Sequence, residues 1–264
     1  MKDELGDRMK AYEGVESQRW LSGGPVCARI DGRSFSKFSK AFTRPYDPDL
    51  AAAMQFACKH LVENTHANIG FVQSDEISLI WDEPAEGSEM LFNGKVLKLT
   101  SVLASMTTAA FCVVLGHMRP KPVEEKMPHF DARVWTVPSQ VEAANVLVWR
   151  SQDARKNGIS SAARSCMSAK EMHGLNTGQM LGEMQMRGVN YDTDFPEHHR
   201  FGSYYQRKNV SRQLTAQERN SIPEEHRPEV GQFVTRTEVS PLPIRYFGDV
   251  SNRVGVVFNG EQVR

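Results

Sequence analysis

Hydrophobic and polar positions change period several times along the chain, and each change predicts an element. Val26, Ala28 and Ile30 alternate with Cys27 and Arg29, the two-residue period of a buried strand over 25–30. Asp47-Pro48 then opens a helix, with Asp47 as the cap and proline in the first turn. Leu50, Met54, Cys58, Leu61 and Val62 follow at helical spacing. Residues 69–73 and 77–81 predict a hairpin that turns at Ser74-Asp75-Glu76. A second helix is predicted over 98–115, apolar at Leu99, Val102, Leu103, Met106 and Val113 and stopped by Gly116. Residues 130–137 alternate again as a strand.

The predicted order is strand, helix, strand, strand, helix, strand, the split βαβ or ferredoxin-like arrangement of an α+β protein. A right-handed crossover makes the first two strands parallel, and the third returns antiparallel beside the second. The end of the first strand and the turn of the hairpin then lie at one edge. Asp31 and Asp75 are expected to meet there. The rest is more helical. Ser139-Gln140-Val141-Glu142 is a capping box for a helix toward Arg155, ended by Asn157-Gly158. A helix over 160–173 stops at Gly174 and a shorter one over 177–187 at Gly188; 192–196 is a loop. A late strand pair, 201–210 and 231–239, is expected across the polar loop 216–228.

Two segments carry the chemistry: Arg29-Ile30-Asp31-Gly32-Arg33-Ser34-Phe35 and Gln73-Ser74-Asp75-Glu76-Ile77-Ser78. Each puts an acid where a strand stops. Alone, either acid reads equally well as a turn residue. Together at one sheet edge they make a site for divalent cations and a triphosphate, the core of nucleotidyl transfer. Glu76 reads as a third ligand, a partner for a base, or an exposed turn acid. The turn Gly32, Arg33, Ser34, Phe35, Ser36 offers backbone N–H groups to a triphosphate. Arg44, Lys95 and Lys98 can neutralise phosphate oxygens, although a lone lysine is more often a solvated charge. Lys98 heads a helix, where a cation opposes the dipole. Arg150, Asp153, Arg155, Lys156 and Asn157 share one helix and read either as a solvated face or as a polynucleotide contact. The methionines from Met167 to Met186 read as packing. His198-His199 lacks a third ligand and reads as surface.

Composition narrows the class. The 264 residues carry a formal net charge of zero, which counts mildly against a dedicated nucleic-acid binder. The cations nevertheless crowd three stretches, around Arg29–Arg44, Arg150–Lys170 and Arg200–Arg212. Cys27, Cys58, Cys112 and Cys166 are far apart, so reduced thiols in a cytoplasmic protein are expected. No uninterrupted apolar run is long enough to span a bilayer, and the charged start Met1–Asp7 does not read as a signal peptide; no membrane partner is expected.

With these residues in view the chain resembles a known family: the tRNA-His guanylyltransferases and their bacterial, archaeal and phage relatives, the 3′→5′ RNA polymerases. The resemblance runs from Met1 to about Val210. It is carried by Arg29–Phe35, Arg44-Pro45-Tyr46-Asp47, Gln73-Ser74-Asp75-Glu76, Phe130-Asp131-Ala132-Arg133 and Trp149-Arg150-Ser151-Gln152-Asp153. It implies a polymerase palm over 1–138, bearing the nucleotide and metal site. The remainder, 139–264, would be a helical and β extension packed on it, for RNA contact and oligomerisation. It implies two Mg2+ ions held by Asp31, Asp75 and the backbone of Gly32, with Glu76 as a further catalytic acid. Triphosphates (ATP, and GTP or another NTP) would lie on Asp31–Ser36 with Ser74, Arg44, Lys95 and Lys98. The RNA would meet Arg150, Arg155, Lys156, Asn157 and Arg200, and the assembly would be a homotetramer, a dimer of dimers. In the family's chemistry ATP adenylylates a tRNA 5′-monophosphate, and the 3′-hydroxyl of an incoming nucleotide displaces AMP.

One departure bears on substrate. Eukaryotic members carry His-Ile-Asn-Asn after the Trp-Arg helix, linked to tRNA-His recognition; here the stretch is Arg155-Lys156-Asn157-Gly158, and only Asn157 matches. A second is Phe201, where members often have a basic residue. These features lead to the expectation of templated repair of 5′-truncated tRNA. Guanosine addition to tRNA-His, a palm-type nucleotidyl cyclase and an idle RNA-binding module stand as alternatives.

Overall fold

The computed structural model describes residues 21, 23–84 and 88–264. The reading of the charged N-terminal segment falls outside them. In chain order the elements are β1 (Val26–Gly32), α1 (Phe35–Phe38), α2 (Pro48–Thr65), β2 (Ile69–Gln73), β3 (Glu76–Trp81), α3 (Val96–Met118), α4 (Pro120–Glu125) and β4 (Phe130–Thr136). Then come α5 (Gln140–Ala163), α6 (Ala169–Met172), α7 (Thr177–Met186), α8 (Tyr191–Asp194), α9 (Glu197–Phe201), β5 (Ser203–Gln213), α10 (Ala216–Asn220), β6 (Phe233–Leu242) and α11 (Arg253–Phe258).

The strands form one six-stranded sheet in the order β4-β1-β3-β2-β5-β6, and each neighbouring pair is antiparallel. The first four strands have the expected ferredoxin-like order. The late strand pair extends the same sheet, through pairings from Ile69↔Gln206 to Val72↔Ser203. The division at 138/139 is therefore not a break in the sheet. Alternation along β1 assigns its faces. Ala28 and Ile30 pack with α2 and α3 in a core that includes Met54, Leu61, Leu79, Leu103 and Phe111. Cys27 faces the other way, with Ile69, Phe71, Ile80, Leu147 of α5 and the C-terminal Phe247 and Val257. Arg29 and Asp31 share that second face by their parity. The first three strands are thus covered on both sides, whereas β6 and the outer half of β5 are largely exposed.

Local signals explain most of the elements. Asp47 caps α2 by accepting from the backbone N–H of Asp49 and Leu50 at 3.0 and 3.2 Å, a contact worth about 1 kcal/mol. Ser139 caps α5 by accepting from the Glu142 N–H.

Several boundaries differ from the sequence reading. Gly116 does not stop α3, which runs to Met118 before Pro120; one helical glycine costs only about 1 kcal/mol, less than the neighbouring burial of Leu115 returns. α3 is also, by length and composition alone, apolar enough to cross a membrane, the one such helix among the described residues. Lys98 and the scattered hydroxyls keep its sequence from being an uninterrupted apolar run. One side of it, Leu99, Leu103, Thr107, Phe111 and Leu115, is buried. α5 continues through Asn157-Gly158 to Ala163. Gly158 is a packing glycine: a Cβ there would lie 2.5 Å from the Tyr191 hydroxyl and 2.9 Å from the His199 carbonyl oxygen. The helix expected over 160–173 is the end of α5, a turn, and the short α6. The loop expected at 192–196 begins with α8, capped by Asn190.

His199 is buried rather than a surface residue, only 8% exposed. Its ring lies 5.5 Å from those of Tyr46 and Phe195. Burial, then the neighbouring His198, brings its pKa down from 6.5 to about 4, with the Gly158 carbonyl acting in the opposite sense. The unfolded chain therefore binds the extra proton first. This group's stabilisation is complete above the unfolded value and is lost as pH falls toward the folded one, about 2.5 kcal/mol by pH 4.5. Urea unfolding at pH 7.5 and 4.5 checks this: His199→Gln should lose about 2–3 kcal/mol less than the wild type over the interval. Equal losses would contradict it.

Candidate active site

The end of β1 and the β2–β3 turn are fastened by backbone. The Gly32 N–H donates to the Asp75 carbonyl at 3.1 Å, and the Arg33 N–H donates to the His129 carbonyl at 2.8 Å. Asp31 stands opposite Glu76 in the β1–β3 register, one residue from Asp75. Gly32 is required by closeness: a Cβ there would lie 3.0 Å from both the Asp75 Cβ and Oδ2 and 2.6 Å from the Phe35 ring. Ser34 and Ser74 both take left-handed backbone, φ 52° and 55°, an uncommon and costly conformation for residues with a Cβ and one concentrated at functional turns. Phe35 anchors this turn through its side chain, buried against Phe38, Phe111 and Phe130. That leaves the backbone of the turn to line the edge.

The electrostatics favour a cation. Burial, then the charge on Asp31, raises the pKa of Asp75, against a hydrogen bond from the Ser74 hydroxyl at 3.1 Å. Burial, then Asp131, raises that of Asp31. Asp131 sits directly opposite Asp31 on β4, a like-charge cross-strand pair that costs stability. A divalent cation between Asp31 and Asp75 would relieve both effects. Among the described residues no group of three acid, histidine or cysteine side chains is arranged to hold a metal ion. The donors available at this edge are two carboxylates and the backbone beside Gly32. This suits Mg2+, which commonly takes one or two carboxylates and completes its shell with phosphate oxygens and water.

Glu76 is committed elsewhere. The Arg150 guanidinium donates from Nε and Nη2 to its two oxygens at 2.6 and 2.7 Å, and from Nη2 to Asp153 at 2.9 Å. Arg150 is 6% exposed and lies 4.5 Å from the Trp149 ring. This corrects its assignment as an RNA contact: the group is buried and paired, and removing one partner of such a pair costs about 3–5 kcal/mol.

Beside Asp75 opens a cavity of about 380 Å³ between the sheet edge and α5. Ser36, Ser39, Thr43, Arg44 and Asp47 line one wall, and Asn157, Ser161 and Arg164 another. The Ser161 hydroxyl donates to the Pro45 carbonyl at 3.2 Å, tying the walls together. Arg44 is exposed, with no acidic partner among the described residues. Lys95 and Lys98 are not brought here. They start α3, beside Gly94 and Leu99, and Leu99 lines a pocket with Val26 and Trp81 at the opposite end of β1. Val26 lies five residues before Asp31 along the strand, which puts that end roughly 17 Å from it. Their phosphate role in this site is therefore corrected: helix α3 runs toward the edge, and only its far end, around Phe111, arrives.

Of the other expected RNA contacts, Lys156 and Asn157 are exposed. Arg155 is half-buried, 5.9 Å from the Phe201 ring, and Arg200 is mostly buried, 3.6 Å from Asp192 and 4.9 Å from Phe201. Arg200 is therefore a poor phosphate contact in this conformation. Arg164 and Asp131 were missed as site residues. A signal for Arg164 was present: Arg150, Asp153, Asn157, Ser161 and Arg164 recur at spacings of three and four, one stripe of a single helix. It was lost by ending the helix at Gly158.

Comparison with known proteins places the chain in a family. The family model described as "Thg1: tRNAHis guanylyltransferase" matches residues 6–138. A bacterial tRNA(His) guanylyltransferase-like protein solved in complex with ATP is 34% identical, with a TM-score of 0.71 over 78% of this chain and 87% of that one. A structure of such a protein with GTP is 30% identical, TM-score 0.66, over 90% and 91% of the two chains. The tRNA(His) guanylyltransferase of Saccharomyces cerevisiae is 28% identical over 200 residues, 69% of this chain and 82% of the yeast protein. The chain belongs to the tRNA(His) guanylyltransferase family and is a nucleotidyltransferase.

Proposed function

We propose that the protein adds nucleotides to the 5′ end of tRNA in the 3′→5′ direction, repairing truncated ends against the opposing template base. The observation that carries the nucleotide chemistry is the meeting of Asp31 and Asp75 beside the Gly32–Ser36 turn, at the mouth of a cavity large enough for a nucleoside. The relatives solved with ATP and GTP support nucleoside triphosphates as substrates.

Asp31 and Asp75, with the Gly32 backbone, would hold Mg2+, which supplies charge neutralisation at the reacting phosphate. The chain's own residues do the rest. With the Gly32 and Arg33 N–H groups bonded to the Asp75 and His129 carbonyls, the N–H groups of Ser34, Phe35 and Ser36 are those the turn would offer to phosphate oxygens, and Arg44 adds an exposed cation lining the cavity. Ser74 holds the Asp75 carboxylate in place. ATP would first adenylylate the RNA 5′-monophosphate, releasing pyrophosphate. The 3′-hydroxyl of the next NTP then attacks that phosphate and AMP leaves.

The substrate reading rests on α5. Asn157 is exposed and lines the cavity, and the neighbouring Lys156 is exposed outside its lining; eukaryotic members have isoleucine and asparagine at these two positions, after the histidine linked to tRNA-His. A lysine grips phosphate without specifying a base, so base pairing would choose the nucleotide. The test is addition to 5′-truncated tRNA-His and to other truncated tRNAs, with the opposing base varied. Addition that follows the template in several tRNAs is expected. Guanosine added to tRNA-His regardless of template would favour the alternative, and a cyclic product from NTP alone would favour a cyclase.

Arg44→Ala should raise the apparent KM for NTP about tenfold, the loss of a charge-assisted hydrogen bond. Lys98→Ala should leave it within about twofold, since its head lies at the other end of the sheet. Equal effects of the two changes in steady-state kinetics would contradict this arrangement.

A further inference from the structure

We infer that Arg150 is a positioning residue whose guanidinium holds Glu76 off the Asp31–Asp75 edge, so that this edge offers a cation two carboxylates rather than three. The inference rests on reading that edge as a cation and nucleotide site.

Glu76 has every positional qualification to be a third ligand. It is the register partner of Asp31 and the chain neighbour of Asp75. It shares the α5-facing side of the sheet with Asp31, by the alternation that buries Ile77 against α2 and α3. Yet both its oxygens are taken by one planar fork, at 2.6 and 2.7 Å. That fork is fixed in turn. Asp153, one turn along α5, accepts from it at 2.9 Å, and the Trp149 ring lies against it. Arg29 stands on the other side of Glu76 at 3.9 Å. A lysine could supply the charge but not the two parallel hydrogen bonds that set the carboxylate's direction.

The consequence concerns the order of binding. Three carboxylates would hold a divalent cation without nucleotide. Two leave most of its shell to phosphate oxygens and water, so the cation arrives and leaves with the triphosphate. Arg150 would thereby make metal binding depend on substrate, through a residue that touches neither.

Titration of the full-length protein with Mn2+ alone, read by electron paramagnetic resonance of the free ion, tests this. The wild type should bind weakly. Arg150→Met should bind about tenfold tighter or more, because Glu76 is released toward Asp31 and Asp75. Adding Glu76→Gln to that chain should return the affinity to within about twofold of wild type, a reversal that a loss of packing would not produce. Arg150→Lys should fall between and carries the test if Arg150→Met does not fold. An Mn2+ affinity unchanged or weakened by the arginine substitutions, or a tightening that survives Glu76→Gln, would overturn the inference. Asp31→Asn in the Arg150→Met chain separates the underlying reading: if tight binding persists there but vanishes with Glu76→Gln, the cation lies at Glu76 and the Asp31–Asp75 site fails instead.

Discussion

The site depends on strand register. β1 places Ala28 and Ile30 against α2 and α3, and Arg29 and Asp31 on the opposite face, with Asp31 opposite Glu76 on β3 and Asp131 on β4. Because side chains alternate with a period of two, a slip of one residue would turn Ile30 outward and drive Asp31 into a core of Met54, Leu79 and Phe111. Burying an unpaired carboxylate there would cost far more than the register difference itself. The apolar pattern that folds the sheet therefore also aims the acids. The Gly32–Asp75 backbone bond then closes the edge to a spacing that only glycine permits.

Four acids accumulate at this edge as a result: Asp31, Asp75, Glu76 and Asp131. The protein compensates one of them strongly, by the buried Arg150 fork on Glu76, and leans a second, Asp131, toward Arg133 at 3.9 Å. Asp31 and Asp75 receive no comparable partner among the described residues, and both are held above the ordinary carboxylate range by burial and by neighbouring negative charge. That unequal treatment separates the acids that can take a cation from those that serve the scaffold. It also links the two faces of the active cleft, since the same helix that clamps Glu76 continues as the Asn157–Ser161–Arg164 wall of the cavity.

Much of this was legible in the sequence. The alternation in β1, the apolar hairpin and the helix caps carried the ferredoxin-like order, and the order alone brought Asp31 and Asp75 to one edge. Pattern failed where a residue's role was tertiary. Gly158 reads as a helix stop but is small because Tyr191 and His199 press against it, and the error concealed the polar stripe that reaches Arg164. Arg150 reads as a surface cation, since nothing local shows that Glu76, far away in sequence, will bury it. Lys95 and Lys98 match basic family positions, but which end of a helix meets the active edge is fixed by strand direction, not by local composition. His199 lacks a ligand spacing and read as surface, although it packs between Tyr46 and Phe195.

The central claim is that Asp31 and Asp75 together hold the metal that accompanies the nucleotide. Mn2+ binding in the presence of a non-hydrolysable ATP analogue tests it most directly, with circular dichroism as the control for folding. The account predicts that the analogue sharply increases Mn2+ affinity in the wild type. Asp31→Asn and Asp75→Asn should each lose that gain by roughly a hundredfold, several kcal/mol of electrostatic stabilisation, while remaining folded. Folded variants that bind Mn2+ and analogue as tightly as the wild type would contradict it.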